Sequence, residues 1–296
     1  MDRHPTLLTD RIARGPLLLD GALATALFAR GLGRDVVPDL WNVDRPQEVG
    51  EVHDSHRRAG SQVLQTNTFR SNALALAERG HPGRAEEFNQ RGAAIALECA
   101  AQSPLSERPL VAGNIGPSGK RMQSADSCQE WTDAFAQQAE ALAAAGVDYL
   151  GLETFTDPEE ARVALEAARG ATKLEVSVSL APTGSGSELH QLGGSTLIDS
   201  LGVLAAEGAT ALGLNCCSVP DLLAILPLCL TATDLPLLLR PNAGLPTEEE
   251  GRLIYPEEPE SFATQLATAI QLGAAGVGGC CGTDDRHTRA LRKAIG

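Results

Sequence analysis

Aromatic and lysine side chains are scarce in this sequence. Phe, Trp and Tyr make up 3% of its 296 residues, and its only lysines are Lys120, Lys173 and Lys293. Ala, Leu, Gly and Val must therefore fill the interior, which suits helices packed closely on a parallel sheet. None of the lysines stands out as a Schiff-base residue, so lyase chemistry of that kind is disfavoured.

Long apolar runs and a surplus of positive charge are also absent. No stretch approaches the roughly 20 residues of a membrane-spanning helix, and residues 1–10 lack the apolar segment of a secretory signal. The formal net charge of −14 and the pI of about 4.9 argue against nucleic acid and anionic membrane surfaces as partners. We therefore expect a cytoplasmic protein that acts on small molecules.

Cysteine is present in an odd number, seven, and four of the seven stand in the adjacent pairs Cys216–Cys217 and Cys280–Cys281. This usage fits a reducing compartment and metal or thiol chemistry better than a disulfide framework. The second pair lies in a glycine frame, Gly278-Gly279-Cys280-Cys281-Gly282. Adjacent cysteines can also be small buried side chains or form a strained vicinal disulfide, so the pair alone leaves those alternatives open.

Eight short apolar runs alternate with helical patterns. The runs are Leu17–Leu19, Gln62–Gln65, Leu110–Ala112, Tyr149–Leu152, Leu174–Leu180, Ala211–Leu214, Leu235–Leu239 and Ala274–Val277. Such alternation predicts parallel β/α units, and eight units predict a single α/β domain, a (β/α)8 TIM barrel, over residues 1–296. An open doubly wound sheet is the competing layout, but no Gly-x-Gly-x-x-Gly follows the first run.

Helix signals lie between the runs. Apolar residues at helical spacing predict helices over Pro46–Ala59, Ala85–Ala101 and Cys128–Ala145, and a last helix from about Asp285 to Ala294. Asp157-Pro158 followed by two glutamates is a helix start, with Asp as the N-cap and Pro at the first position.

Polar and thiol side chains follow most of the runs. They are Asp20, Asn67, Asn114, Glu153, Asn215, Cys216, Arg240, Asn242, Cys280 and Cys281. One polar residue after a strand is only a turn signal, but the carboxyl ends of barrel strands form the active-site face. The three thiols at two strand ends could hold a zinc ion and leave its fourth position open, as catalytic zinc sites do.

Six motifs carry a family resemblance. They are Leu19-Asp20-Gly21-Ala22, Thr66-Asn67-Thr68-Phe69, Glu153-Thr154-Phe155, Gly213-Leu214-Asn215-Cys216, Pro241-Asn242-Ala243-Gly244-Leu245-Pro246 and Gly278–Thr283. Together they resemble the zinc-dependent homocysteine S-methyltransferases, over about Pro16–Ile295. That family includes betaine- and S-methylmethionine-using enzymes and the homocysteine module of cobalamin-dependent methionine synthase. The Pro-Asn-Ala-Gly-Leu-Pro stretch is most similar to that module.

The resemblance implies a role for each matched residue. It makes Cys216, Cys280 and Cys281 the zinc ligands, and it places Glu153 and Asp20 in the homocysteine pocket as catalytic and substrate-binding residues that meet the ammonium group. Helix capping or turn formation is the alternative for either acid.

Two asparagines belong to the same expected site. Asn67 and Asn215 are expected to bind substrate, and Asn67 is also interpreted as a loop-shaping residue that braces the site. Cys217 and Arg240 have no assigned role; Arg240 stands where the methionine synthase module tends to have His.

The predicted function is methyl transfer to the thiol of homocysteine, giving methionine, with Zn²⁺ as the metal. Quaternary ammonium ions are usually held by aromatic cages, and ten aromatic residues are few for one. We therefore rank sulfonium donors such as S-methylmethionine or S-adenosylmethionine first, a methyl-corrinoid partner protein second and betaine third. The alternatives are a homocysteine-activating component of a corrinoid-dependent system and a non-catalytic zinc-binding module.

Overall fold

Eight parallel strands form a barrel surrounded by helices, as predicted. The computed structural model describes residues 7–120, 125–182, 191–192, 195–249 and 252–296. The barrel strands are β1 (Leu17–Leu18), β2 (Val63–Gln65), β3 (Leu110–Ile115), β4 (Tyr149–Phe155), β5 (Val176–Leu180), β8 (Ala211–Asn215), β9 (Leu237–Arg240) and β12 (Gly276–Val277). Their order is β1-β12-β9-β8-β5-β4-β3-β2, every pair being parallel. The Gln62 amide donates to the Leu18 carbonyl at 2.7 Å and links β2 to β1.

Helices cover the outside of the barrel. They are α1 (Leu8–Ile12), α2 (Leu23–Ala29), α3 (Trp41–Asp44), α4 (Pro46–Ala59), α5 (Ala73–Glu78), α6 (Ala85–Ala100), α7 (Ala125–Ala145), α8 (Pro158–Ala171), α9 (Leu197–Ala206), α10 (Val219–Ala232), α11 (Pro259–Leu272) and α12 (Asp285–Ile295). The Asp157 side chain accepts from the Glu159 amide, so the predicted N-cap of α8 is confirmed. In the part of the chain described, no helix is long and apolar enough to cross a bilayer.

Side-chain alternation along the strands separates two apolar layers. Leu18, Leu64 and Leu150 point outward and pack under the helices. Leu17, Val63 and Tyr149 point inward, because successive strand residues face opposite sides, and they fill the amino-terminal end of the barrel. Leu8 of α1 is fully buried in that inner layer. The polar site residues therefore occupy the inward positions nearer the carboxyl end of the strands.

Two pairs of short antiparallel strands lie in the connections that follow β5 and β9. β6 (Gln191–Leu192) pairs with β7 (Ser195–Thr196), and β10 (Thr247–Glu249) pairs with β11 (Arg252–Ile254), both antiparallel. The second hairpin follows β9 and leads into Tyr255, which packs against Gly282. The eight-strand count did not predict either hairpin, because both lie outside the barrel sheet.

Candidate metal centre and substrate cavity

The three predicted thiols meet at the carboxyl ends of β8 and β12. The Sγ atoms of Cys216 and Cys280 lie 3.0 Å apart, those of Cys280 and Cys281 lie 4.0 Å apart, and all three lie within 4.8 Å of one another. All three are free thiols, since a disulfide requires about 2.05 Å. Within the described residues no other His, Cys, Asp or Glu group forms a comparable cluster.

Backbone conformation separates Cys216 from its neighbour Cys217. Cys216 has a φ of +58°, a left-handed conformation that is uncommon for a residue with a side chain. Cys216 lines the site, whereas Cys217 is buried in the outer apolar layer. Burial raises the pKa of the Cys217 thiol to about 12. Cys217 is therefore a packing residue.

Close packing holds the Cys280–Cys281 turn. A β-carbon on Gly279 would lie 2.2 Å from Oγ1 of Thr283, so this position requires glycine. The Thr283 hydroxyl donates to the Cys280 carbonyl at 2.7 Å, and the Cys280 amide donates to the Pro241 carbonyl at 2.7 Å. The turn that aims both thiols to one side is thus tied to the ends of β9 and β12.

Hydrogen bonds among the three thiols shift their pKa values in opposite directions. Hydrogen bonds from Cys216 and Cys280 lower the pKa of Cys281 to about 3. The hydrogen bond with Cys280 is the largest cause that raises the pKa of Cys216. A bound divalent metal deprotonates coordinating thiols outright, and three cysteine ligands with an open fourth position are a zinc arrangement.

Asn242 supports the backbone at Cys216. Its Nδ2 donates to the Cys216 carbonyl at 3.1 Å, while its buried Oδ1 has no hydrogen-bond partner within the described chain. Buried polar atoms are rarely left unpaired in folded proteins. Asn242 therefore fixes the backbone of the proposed ligand Cys216 and keeps one buried oxygen unpaired within the described chain.

A cavity of about 400 Å³ opens above the thiols. Its lining includes the three cysteines, Glu153 and Asn67. Asp20 and Asn215, also predicted to bind substrate, are not among the lining residues. A volume of this size is typical of small-molecule sites.

Glu153 lies at the inner end of the cavity. Its Oε1 accepts from Nδ2 of Asn114 at 2.7 Å, and its Oε2 accepts from Nε2 of Gln65 at 3.0 Å. Burial raises the pKa of this carboxyl, and the Arg240 guanidinium opposes that shift. Two amide donors thus hold the carboxylate in one orientation on the wall of the cavity.

Asp20 is engaged within the protein. Its Oδ1 accepts a hydrogen bond from Nη2 of Arg240 at 2.8 Å. Its Oδ2 accepts one from the backbone N–H of Gln65, also at 2.8 Å. Asp20 is 1% exposed, and Arg240, which was given no role from the sequence, lines the cavity above it. Direct contact between Asp20 and substrate stays a prediction; in this structure Asp20 is the counter-ion of Arg240.

The two asparagines differ in position. Asn67 lines the cavity, with Nδ2 donating to the Pro38 carbonyl and to Oδ1 of Asn42, both at 2.9 Å. Asn215 lies beneath Thr154, whose amide donates to its Oδ1 at 3.1 Å and whose hydroxyl accepts from its Nδ2 at 2.6 Å. These bonds support Thr154 at a φ of +65°. Substrate binding by either asparagine stays a prediction.

Four residues of this site received no functional role from the sequence, although Arg240 was expected at the strand-end face and Thr154 stood in a family motif. Gln65, Thr154 and Arg240 line the cavity, and the Tyr255 hydroxyl hydrogen-bonds Cys281, which contributes to lowering the pKa of that thiol. For Gln65 and Arg240 a signal was available, because each is the inward polar residue two positions after an inward apolar one, Val63 or Leu238. No comparable pattern marks Tyr255.

A family model described as homocysteine S-methyltransferase matches residues 17–295. The chain belongs to the homocysteine S-methyltransferase family. Members of this family with solved structures include the homocysteine methyltransferase MmuM of Escherichia coli. Its metallated form superposes with a TM-score of 0.78 and 27% identity over 94% of this chain and 96% of that one. Its oxidised form gives a TM-score of 0.77 and 28% identity over 94% and 95%.

This chain is also similar to methionine synthases. That of Mycobacterium tuberculosis is 29% identical over 99% of this chain and 26% of its own length. That of Mycobacterium leprae is 27% identical over 99% and 25%. The chain therefore spans about a quarter of the length of the curated relatives it matches.

Proposed function

We propose that this chain transfers a methyl group to the thiol of homocysteine, giving methionine, at a Zn²⁺ ion held by Cys216, Cys280 and Cys281. The observation that carries the proposal is the convergence of these three free thiols within 4.8 Å at the floor of the cavity. Membership of the homocysteine S-methyltransferase family supports the reaction class. We also propose that residues 1–296 act as one homocysteine-binding barrel in the cytoplasm.

The chemistry requires a sulfur nucleophile. A free thiol with a pKa near 8.5 is mostly protonated at neutral pH and is a poor nucleophile. Zinc bound here would supply deprotonation of the substrate thiol, and three cysteine thiolates would keep the centre electron-rich. The thiolate then forms an S–C bond with the donor methyl group, and the electron pair of the broken bond leaves with the donor. The walls of the cavity align the two reactants for this displacement.

The residues around the three thiols bind the substrate or hold the residues that do so. Glu153 is placed to accept hydrogen bonds from the homocysteine ammonium group, and Asn114 and Gln65 hold its carboxylate in place. Asp20 acts through Arg240, which it holds at the cavity wall. Asn67 contributes to the wall, and Asn215 positions Thr154.

The Glu153→Gln variant is expected to bind homocysteine about 10- to 100-fold more weakly and to keep its zinc. A hydrogen bond to a charged group contributes about 1.5–3 kcal/mol, and each 1.4 kcal/mol is tenfold in affinity. Calorimetric titration with homocysteine measures the dissociation constant, and metal analysis measures the zinc.

Glu159→Gln is the matched control, because it removes a glutamate that pairs with Arg162 on the surface of α8. It should bind homocysteine like the unaltered chain. An unchanged dissociation constant in Glu153→Gln would count against the ammonium contact.

The reaction itself is tested by assaying methionine formation from homocysteine with each donor in turn. We rank S-methylmethionine and S-adenosylmethionine first, a methyl-corrinoid protein second and betaine third. Similarity to the mycobacterial methionine synthases favours one second function, a homocysteine-activating component of a corrinoid-dependent system. Turnover only with an added methyl-corrinoid protein would select that function. No turnover with any donor, despite bound zinc, would leave a non-catalytic zinc-binding module.

A further inference from the structure

The outer part of the cavity carries two arginines, Arg70 and Arg79, in a chain whose formal net charge is −14. Arg70 lies in the loop between β2 and α5, and Arg79 is the C-cap of α5. The inner part carries the opposite character, with three thiols and Glu153. Arg240 is also at the inner end, but its charge is compensated by Asp20. The cavity is therefore electrically polarised between its two ends.

Arg70 is a preorganised cation. Its guanidinium carbon lies 5.4 Å from the centre of the Phe69 ring, and the residue is half-buried. Its backbone amide donates to Oδ1 of Asp39 at 2.9 Å, which fixes the loop without using the side chain. Among the described residues the guanidinium forms no hydrogen bond or ion pair.

In the ranges that the structure describes, no acid lies within ion-pair distance of the Arg70 guanidinium, although Asp39 and Glu160 interact with its charge at longer range. Oδ1 of Asp39 is occupied by the amide of Arg70 and by the Ser71 hydroxyl, and burial raises the pKa of Asp39 to about 6. Glu78 and Arg70 both approach Gly119. A β-carbon built on Gly119 would lie 3.2 Å from Oε2 of Glu78 and 3.6 Å from Nη1 of Arg70. Within the described chain these two side chains nevertheless form no ion pair.

Arg79 is the second cation of the outer cavity. It is exposed, and the described residues offer its side chain no ion pair. Arg34 also lines the cavity, but it pairs with Glu248 at 3.4 Å. The planar guanidinium of Arg70, stacked on the Phe69 ring, is suited to carboxylates, because it can bind a carboxylate through two parallel hydrogen bonds.

We propose that Arg70 and Arg79 form an anion subsite that binds the carboxylate of the methyl donor. This inference rests on the proposed methyl transfer. A zwitterionic donor matches the polarity of the cavity: its positively charged methyl-bearing group is attracted to the thiolates and Glu153, and its carboxylate to the arginines. The same arrangement turns the methyl group towards the acceptor sulfur. Arg70 and Arg79 are thus specificity-determining residues for the donor.

The proposed subsite is tested by comparing how the unaltered chain and variants of Arg70 bind two ligands that differ only in the carboxylate. Calorimetry measures the binding of S-methylmethionine and of its methyl ester to the zinc-loaded unaltered chain and to Arg70→Gln. We expect Arg70→Gln to bind the free acid about tenfold more weakly, as for loss of one charge-assisted hydrogen bond at a part-exposed site. The ester should bind both proteins equally, and Arg70→Lys should recover part of the affinity for the acid. The dissociation constant of homocysteine should not change.

Arg14→Gln is the control, since Arg14 is exposed after α1, at the opposite end of the barrel. It should leave both ligands unaffected. Equal binding of the acid by Arg70→Gln and the unaltered chain would overturn the subsite, and so would weaker homocysteine binding, which would assign Arg70 to the acceptor carboxylate. No binding of S-methylmethionine by the unaltered chain would also overturn it. Because binding is measured without turnover, these outcomes are separate from failure of the methyl transfer assay.

Discussion

Replacement of Cys216 by serine is expected to lower zinc affinity by more than about 100-fold and to abolish methionine formation. Changes to residues that merely support a metal ligand already cost 10- to 100-fold, and this change removes one of three proposed ligands. The neutral hydroxyl of serine does not replace a thiolate. Zinc per chain, expected to be about one in the unaltered protein, is measured after dialysis against a chelator.

Cys217→Ser is the matched control, one residue away. The Cys217 side chain is buried in the outer apolar layer, so this variant should keep its zinc and lose only stability. Full retention of zinc by Cys216→Ser would contradict the ligand assignment. Loss of zinc from Cys217→Ser alone would mean that the other thiol of the pair is the ligand.

Replacement of Arg240 by methionine is expected to lower the free energy of unfolding by about 3–5 kcal/mol. That is the usual cost of removing one partner from a buried ion pair, because the remaining charge is left uncompensated. Here the remaining charge is Asp20, which is 1% exposed and also accepts from the Gln65 amide. Urea denaturation followed by circular dichroism measures the loss.

Two further variants isolate the pair. The double variant Asp20→Asn with Arg240→Met should lose less stability than the sum of the single variants, because no charge is left unpaired. Arg108→Met breaks an ion pair with Asp148 in which both side chains are more exposed, at 15% and 13%, and should cost about 1 kcal/mol. Equal losses in Arg240→Met and Arg108→Met would refute a special role for the buried pair.

The barrel was predictable because its signals are local. The barrel strands are only two to seven residues long, yet their apolar composition is visible in the sequence. A helix start is visible in the same way, from a cap such as Asp157. The convergence of the three thiols was predictable for the same reason, since each follows an apolar run that ends in a turn; their role as metal ligands stays a prediction. The family resemblance then indicated that these separate strand-end residues belong to one site.

The connections within the site were not predictable, because they join residues far apart in the chain. Asp20 and Arg240 are separated by 220 positions, so no window of sequence pairs them. The expectation that Asp20 faces the substrate directly did not anticipate that its oxygens would be taken by Arg240 and the backbone of β2. The contact between Tyr255 and Gly282 depends on the β10–β11 hairpin, whose short polar strands lack an alternating apolar pattern.

Net charge was a poor guide to the cavity. The formal net charge of −14 argues against anionic partners, whereas the outer cavity carries two cationic side chains, Arg70 and Arg79. The few side chains that line a pocket set its potential, because charges on the exposed surface are screened within about 10 Å at 0.1 M salt.

The pairing of the first barrel strand with the last has a consequence for the order of assembly. Leu17 and Leu18 of β1 align with Gly276 and Val277 of β12, so the ring cannot close until residue 277 has left the ribosome. Contacts of such long sequence separation form late in folding. A growing chain therefore presents Cys216 long before Cys280 and Cys281, and cannot assemble the three-thiol cluster prematurely. Barrel closure and the convergence of the three thiols should appear together, as a single late event in refolding experiments.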